Sequence, residues 1–171
     1  TGTIRDTNWK AQADTAVTWG AKESRSEVQL LTDRILIRVE KANGAVQFLS
    51  RDGKKLLTEN PSEPRLLLDS QTWNFFVWDK NERLKSKGVL ADDFMDLSTK
   101  ARYISFGQKK RRMPLVLSNK GYAIGVAAGS TVLFCNVRTY GQYIYTQGTG
   151  QIDYYFIYDE NQERNIEQYR N

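Results

Sequence analysis

The sequence consists largely of short runs in which apolar and polar residues alternate, separated by turn signals. Ile35, Ile37 and Val39 lie at alternate positions of one such run and alternate with Leu36, Arg38 and Glu40. A period of two with β-branched residues is typical of a strand whose two faces differ. Similar runs recur up to Tyr158. Many short strands with frequent turns predict an all-β, antiparallel β-sandwich or barrel, and they argue against βαβ units.

Two glycine-containing pairs mark hairpin turns in this pattern. Asn43-Gly44 follows one strand run and precedes another, and both residues tolerate the positive φ angles of a type I′ turn, which we predict here. Asp52-Gly53 repeats the pattern one strand later. We also predict an edge strand near 16–19 and short strands at 66–68, 73–78, 102–106, 115–118, 123–126, 131–135, 143–145 and 152–158.

Two stretches depart from the alternating pattern. Residues 79–96 are charged and poor in β-formers, which predicts a loop with a helical turn near 91–97. Residues 159–170 have a helical pattern, which Asp159 or Asn161 can cap. A chain of 171 residues suits one domain with its own core. We therefore predict a polar lead-in at 1–26, a β-sandwich domain at 27–158 and a short helical tail at 159–171.

The absence of histidine restricts the chemistry that this chain can perform. It excludes Ser/His/Asp and Cys/His nucleophile systems and a histidine-ligated zinc site. The single cysteine, Cys135, has apolar neighbours and is interpreted as a small core residue. Acid–base chemistry would have to use carboxylates, lysine or tyrosine. We expect no cofactor and no bound metal.

The carboxylates do not form a recognisable catalytic pair. A glycosidase holds two carboxyl groups roughly 5–10 Å apart across the scissile bond. Asp92 and Asp93 are adjacent in the charged stretch, where capping or solvation explains them. Asp153, between Ile152 and Tyr154, is a charge on an otherwise apolar predicted strand, and we interpret it as an edge residue or an ion-pair partner. We assign no catalytic residue in this chain.

A basic run, Lys109-Lys110-Arg111-Arg112, suggests nucleic acid as an alternative partner. Tyr103, Phe106 and Tyr122 lie near it, and single-strand binders use such rings for stacking. These rings lie in or beside predicted strands, however, so a core position is the simpler interpretation, and the net charge of +5 is modest. No apolar run is long enough to cross a membrane, and we expect no membrane partner. One cysteine and no visible leader slightly favour a cytoplasmic location.

Several large aromatic residues are candidates for a contact surface. Trp73, Trp78, Tyr140, Tyr143 and Tyr145 could stack on sugar rings, line an interdomain face or fill a sandwich core. The sequence leaves these three alternatives open.

Three blocks of sequence, taken in order, resemble a known family. The first runs from Val28 to Glu59 and contains the Asn43-Gly44 turn. The second runs from Met113-Pro114 to Gly121-Tyr122, and the third is Ile152-Asp153-Tyr154-Tyr155-Phe156-Ile157 with the tail after it. Over most of residues 27–171 the chain resembles the N-terminal β-sandwich of family 31 glycoside hydrolases, which include α-glucosidases and α-xylosidases.

The resemblance implies a supersandwich of the galactose-mutarotase kind, packed against a catalytic (β/α)₈ barrel of the same parent polypeptide. In that family two barrel aspartates perform retaining hydrolysis of α-glycosides, and neither maps onto this chain. The resemblance thus implies a non-catalytic domain of an α-glycosidase, with oligosaccharide as a further candidate partner. A free-standing carbohydrate-binding module is the alternative, and a basic nucleic-acid-binding β-domain is a third hypothesis.

One further segment extends the set of candidate contact residues. Ser105-Phe106-Gly107-Gln108 resembles the family's Gly-x-Gly-Glu/Gln segment, with Ser105 in place of the first glycine. The segment that follows it is short in this chain. The candidate carbohydrate or interdomain contacts are therefore Trp73, Trp78, Gln108, Tyr140 and Tyr143.

Overall fold

The computed structural model describes residues 18–87, 94–98, 101–104, 115–126, 132–147 and 153–159. Within these ranges every regular element is a β-strand, so the all-β prediction is confirmed. The boundaries predicted for the lead-in and the tail stay predictions. Several predicted features lie outside the described residues: the lead-in up to residue 17, Asp92, Asp93, residues 105–106, Gln108, the basic run at 109–112 and the tail helix after Asp159.

The described residues contain fifteen strands, which we number in chain order. They are β1 (Gly20–Glu23), β2 (Glu27–Leu31), β3 (Ile35–Glu40), β4 (Val46–Ser50), β5 (Lys55–Glu59), β6 (Arg65–Leu68), β7 (Gln71–Val77), β8 (Leu84–Lys87), β9 (Phe94–Asp96), β10 (Ala101–Ile104), β11 (Leu115–Ser118), β12 (Tyr122–Val126), β13 (Val132–Val137), β14 (Gly141–Gln147) and β15 (Tyr154–Tyr158).

The strands form two antiparallel sheets. The large sheet has ten strands in the order β1-β2-β3-β4-β5-β7-β14-β13-β10, and β6 also pairs with β7. The small sheet has the order β15-β12-β11-β8-β9. The edge strand β1 begins slightly later in the chain than the edge strand predicted near 16–19.

One apolar core lies between the two sheets and makes the fold a β-sandwich. Phe48 and Phe76 of the large sheet share a cluster with Tyr122 of the small sheet, and Phe156 packs against that cluster. The rings of Phe48 and Phe156 stack with their centroids 4.0 Å apart, which joins β4 to β15. Aromatic side chains bury a large area each, so a few of them hold two sheets together. Cys135 is buried with its thiol free, as predicted.

The Asn43-Gly44 hairpin forms as predicted, but the prediction of a type I′ turn is wrong. Gly44 has a positive φ of 72°, whereas Asn43 does not have a positive φ. The Asn43 side chain instead fixes a longer loop: its Oδ1 accepts from the Ala45 N–H (3.0 Å) and its Nδ2 donates to the Pro61 carbonyl (2.8 Å). A Cβ at Gly44 would also lie 3.2 Å from the Arg65 guanidinium. Contacts with a distant loop therefore set this turn.

The charged stretch at 79–96 contains strands β8 and β9 where a loop with a helical turn near 91–97 was predicted. Leu84 and Ser86 are buried, while Lys85 between them is exposed. β8 pairs with both β11 and β9 in the small sheet. The residues of this stretch have low strand propensity. Pairing with neighbouring strands and burial of alternate side chains nevertheless stabilise β8 by more than this low propensity costs.

A buried carboxylate, Glu59, links the two sheets. Its Oε2 accepts from the Val46 N–H (2.8 Å) and from the Arg65 guanidinium (2.5 Å). Its Oε1 accepts from the Tyr154 hydroxyl (2.8 Å) and the Asn74 amide (3.2 Å). Glu59 is fully buried. We call these residues the Glu59 network; since a buried charge is tolerated only when it is paired and hydrogen-bonded, each partner is held in place by the others.

Removing the Glu59 carboxylate should destabilise the fold strongly. Glu59→Ala leaves Arg65 without its counter-ion and Tyr154 without its acceptor, so we expect a loss of about 3 kcal/mol in the free energy of unfolding. Urea unfolding followed by tryptophan fluorescence measures it. Glu23→Ala is the control: Glu23 pairs with Lys41 at an exposed site, where solvent screens the charges, so loss of the pair should change the free energy of unfolding little. Equal effects of the two variants would contradict the structural role of Glu59.

The Glu59 network also predicts how stability depends on pH. Burial, together with the neighbouring Glu59 carboxylate, raises the pKa of Tyr154 above its ordinary value of 10.0. In the unfolded chain this phenol ionises near its ordinary pKa, while in the folded chain it stays protonated. The unfolded state then binds fewer protons, so the free energy of unfolding should fall as pH rises above about 10.

Tyr154→Phe isolates this contribution. The variant should unfold at lower urea than the wild type at about pH 8, because a hydrogen bond to Glu59 is lost, and its stability should fall less between about pH 9 and 11. Urea midpoints across that interval for both proteins measure the difference. Parallel pH profiles for variant and wild type would rule out Tyr154 as the titrating group.

Candidate interaction surface

The strand β7 directs two kinds of side chain to its two faces. Thr72, Asn74 and Phe76 are buried on the face toward the small sheet. Trp73 and Phe75 alternate with them and are half-buried on the opposite face. Since successive side chains of a strand point to opposite faces, Trp73 and Phe75 lie on the outer side of the large sheet.

The neighbouring strand β14 adds two more rings to this face. Tyr143 lies opposite Phe75 and Tyr145 lies opposite Trp73 in the antiparallel register. The ring centroids of Trp73 and Tyr145 are 4.9 Å apart, and those of Phe75 and Tyr143 are 5.8 Å apart. Cross-strand aromatic pairs of this kind stabilise a sheet.

The strand β6 extends the same face with aliphatic side chains. Leu66 lies opposite Trp73, and Leu68 lies two residues further on the same side of β6. The exposed fractions of these two leucines are 41% and 56%. We define the outer aromatic face as Leu66, Leu68, Trp73, Phe75, Tyr143 and Tyr145.

The composition of the outer aromatic face is typical of a surface that another protein covers. In an antiparallel sheet packed on one side, the other face is usually polar where it meets water. Here the centre of that face is aromatic and its β6 side is aliphatic. Contiguous apolar patches on a folded protein mark interaction sites more often than isolated apolar residues do.

The angles between the ring planes of the outer aromatic face indicate whether a sugar or a protein fits this surface better. The ring planes of Trp73 and Tyr145 are inclined by 48°, and those of Phe75 and Tyr143 by 69°. Rings packed at these angles present edges as well as faces. A sugar ring stacks on a flat aromatic face, whereas side chains from a protein can fill the spaces between inclined rings.

The other predicted contact residues lie elsewhere. Trp78 is only 4% exposed and packs in the core, with its ring 5.2 Å from Phe76 and 5.0 Å from Phe134. Tyr140 is 76% exposed in the turn between β13 and β14. The structure thus brings Trp73 and Tyr143 together and separates both from Trp78.

Sequence reasoning missed three members of the outer aromatic face. Phe75, Leu66 and Leu68 were not among the predicted contacts. Alternation along β7 places Phe75 with Trp73, and that signal is present in the sequence. The sequence carries no comparable signal for the register of β6 against β7, because that register depends on the turn at Asp69, which has a φ of 51°.

Glu82 is a second carboxylate buried inside the sandwich. Its Oε1 accepts from the hydroxyls of Ser118 (2.6 Å) and Tyr122, and its Oε2 accepts from Lys120 (3.1 Å) and the Asp79 N–H (3.2 Å). Burial and the Glu82 charge raise the pKa of Tyr122 well above its ordinary value. All the oxygens of Glu82 are engaged, as are those of Glu59, so both carboxylates serve the fold.

An open pocket lies at one end of the sandwich. It has a volume of about 580 Å³ and is lined by two turns and the end of β15. Two of its charged groups pair with each other, since Arg34 lies 3.5 Å from Asp159, and Asp52 accepts a hydrogen bond from the Ser50 hydroxyl. The ranges that the structure describes hold no cluster of acidic or thiol groups suited to a metal ion. They also hold no helix that is long and apolar enough to cross a membrane.

Comparison with known proteins points to one group of enzymes. No protein-family model and no curated protein matches this chain. A GH31 dextranase from Flavobacterium johnsoniae, solved with glucose, superposes with a TM-score of 0.74 at 18% identity, over 88% of this chain and 20% of that chain. A GH31 α-xylosidase from a soil metagenome, solved with xylose, gives 0.71 at 16% identity, over 97% and 28%.

A third solved structure is the cycloalternan-forming enzyme from Listeria monocytogenes in complex with a pentasaccharide substrate. It gives a TM-score of 0.71 at 16% identity, over 86% of this chain and 16% of that chain. This chain therefore spans about a fifth of the length of the first of these enzymes. At such identities the likeness establishes the fold: the resemblance to family 31 glycoside hydrolases is confirmed as one of fold, and this chain has the architecture of one part of a GH31 enzyme.

Proposed function

We propose that this chain is a non-catalytic, N-terminal accessory domain of a GH31-type α-glycosidase. In this proposal it packs against the catalytic (β/α)₈ barrel of the same parent polypeptide and helps to shape the substrate pocket in carbohydrate metabolism. The observation that carries the proposal is the outer aromatic face. An apolar face on a domain whose fold occupies a fifth of larger enzymes is suited to contact with the rest of such a polypeptide.

The chemistry of the described residues supports a non-catalytic role. Glu59 and Glu82 are saturated with hydrogen bonds inside the sandwich. A glycosidase needs one carboxyl group that can give up a proton and one that faces the sugar across an open cleft. Glu59 and Glu82 are instead committed to structural partners. The proposal accordingly assigns the hydrolytic carboxylates to the remainder of the polypeptide.

A free-standing carbohydrate-binding module is the second candidate. The observation in its favour is Tyr140, whose ring is 76% exposed and available for stacking on a sugar. A single ring provides little affinity by itself. The inclined rings of the outer aromatic face favour protein packing over a flat sugar platform.

The proposal predicts that the outer aromatic face binds the rest of the polypeptide. The 171-residue chain and the region encoded after it would be produced as separate tagged proteins and their association measured by calorimetry. Trp73→Ser should weaken the association at least about tenfold, since a buried aromatic anchor commonly contributes 2 kcal/mol or more. Leu68→Ser, at a more exposed position, should act in the same direction with less effect on folding.

Tyr140→Ser is the matched control and should leave the association unchanged, because Tyr140 lies outside the face. Thermal unfolding of each variant separates loss of binding from loss of fold. Hydrolysis of nitrophenyl α-glycosides by the pure 171-residue chain would refute the non-catalytic role. Oligosaccharide affinity that is lost in Tyr140→Ser, with no association between the two proteins, would establish the carbohydrate-binding alternative.

A further inference from the structure

The strand β6 has one paired side and one open side. Within the described ranges it pairs only with β7. The Phe75 N–H donates to the Pro64 carbonyl (2.9 Å), which sets the alternation of the ladder. Hydrogen-bonded and non-hydrogen-bonded positions alternate along an antiparallel pair. The backbone groups of Leu66 and Leu68 therefore point to β7, and those of Arg65 and Leu67 point to the open side.

The side chains at this open side are apolar and exposed on both faces. Leu66 and Leu68 lie on the outer aromatic face, and Leu67 lies on the opposite face with an exposed fraction of 55%. The charged residue of the strand, Arg65, directs its guanidinium to Glu59 and to the Gly44 carbonyl. Among the strands that the structure describes, none pairs with the open side, where backbone groups of β6 lie between three leucines.

The far edge of the same sheet shows a different arrangement. The edge strand β1 is exposed along its whole length, and Lys22 and Glu23 lie on it. Charged side chains on an edge strand oppose the addition of another strand. The strand order of the large sheet thus ends at the charged strand β1 and at β10, which contains Arg102, whereas the open side of β6 carries leucines. This is the arrangement expected if β6 receives a strand.

We propose that β6 accepts an added strand from the remainder of the same polypeptide. The added segment is extended and carries apolar residues at alternate positions, which contact Leu66 and Leu68 on one face and Leu67 on the other. Its backbone accepts from the Leu67 N–H and donates to the Leu67 carbonyl, as in strand addition generally. This inference rests on the proposed function. It adds the backbone edge of β6, which borders the outer aromatic face, to the proposed contact surface.

The size of the edge favours a tethered partner over a second copy of this chain. β6 has only four residues. Pairing two such strands about a two-fold axis buries far less than the roughly 1,000 Å² that a stable interface between separate molecules needs. A segment of the same polypeptide is present at a high effective concentration, so a short strand is sufficient.

Amide hydrogen exchange at Leu67 tests the proposal. In the 171-residue chain alone the Leu67 amide should exchange quickly, and in the complete polypeptide it should exchange at least about a hundredfold more slowly, because the added strand then accepts its hydrogen bond. The Leu66 amide is the internal control, since its bond to β7 protects it in both proteins. Equal exchange at Leu67 in the two proteins would overturn strand addition.

A charge variant supplies the second measurement. Leu67→Lys keeps the strand but places a charge on the edge, and it should weaken association of the two separately produced proteins at least tenfold. Tyr140→Lys, at an exposed turn, should leave association unchanged. Association that Leu67→Lys does not weaken, with no protection at Leu67, would overturn strand addition and leave the proposed function standing. If the two proteins do not associate at all, both strand addition and the proposed function are overturned. If exchange of the Leu67 amide slows as the concentration of the 171-residue chain alone is raised, a second copy of this chain occupies the edge and the proposal is overturned.

Discussion

The structure depends on one buried carboxylate. Glu59 lies at the end of β5 and accepts hydrogen bonds from the backbone of β4, from side chains of β6 and β7, and from Tyr154 of the small sheet. A charge without solvent must satisfy its oxygens inside the protein, so these strands can occupy only positions that reach it. The same bond to Arg65 turns that side chain away from the open edge of β6. The apolar character of that edge is therefore a consequence of the core.

The side chains of the sandwich form an inner set that stabilises the fold and an outer set that leaves aromatic rings and leucines at the surface. Inside, aromatic rings stack between the sheets, and Glu59 and Glu82 accept hydrogen bonds at all their oxygens. Outside, β7 and β14 present inclined rings and β6 presents leucines. Both sets arise from the same alternation, because each strand of an antiparallel sheet supplies its two faces at once.

Much of this arrangement was predictable from the sequence, and the misses have physical reasons. Alternation along short runs was enough to predict most strands and the sandwich, and the resemblance of three sequence blocks to a known family predicted the likeness to GH31 enzymes. The strand β8 was missed because its charged residues are tolerated only where alternate positions are buried against β11. The turn at Asn43 was assigned the wrong type because its side chain bonds to Pro61, a partner that no local pattern reveals. Trp78 was a candidate contact, yet it is a core residue.

The sequence by itself determined where apolar and polar residues alternate, where turns between strands occur, and which kinds of catalytic site the absence of histidine excludes. These are local properties, since they depend on side-chain type and spacing. Only the tertiary structure decided which of the two faces of each strand turns inward, which strands are neighbours and which edge stays open. Those properties depend on contacts between residues far apart in the chain, such as Glu59 with Tyr154. The outer aromatic face exists for this reason: the register between β6, β7 and β14 brings its members together.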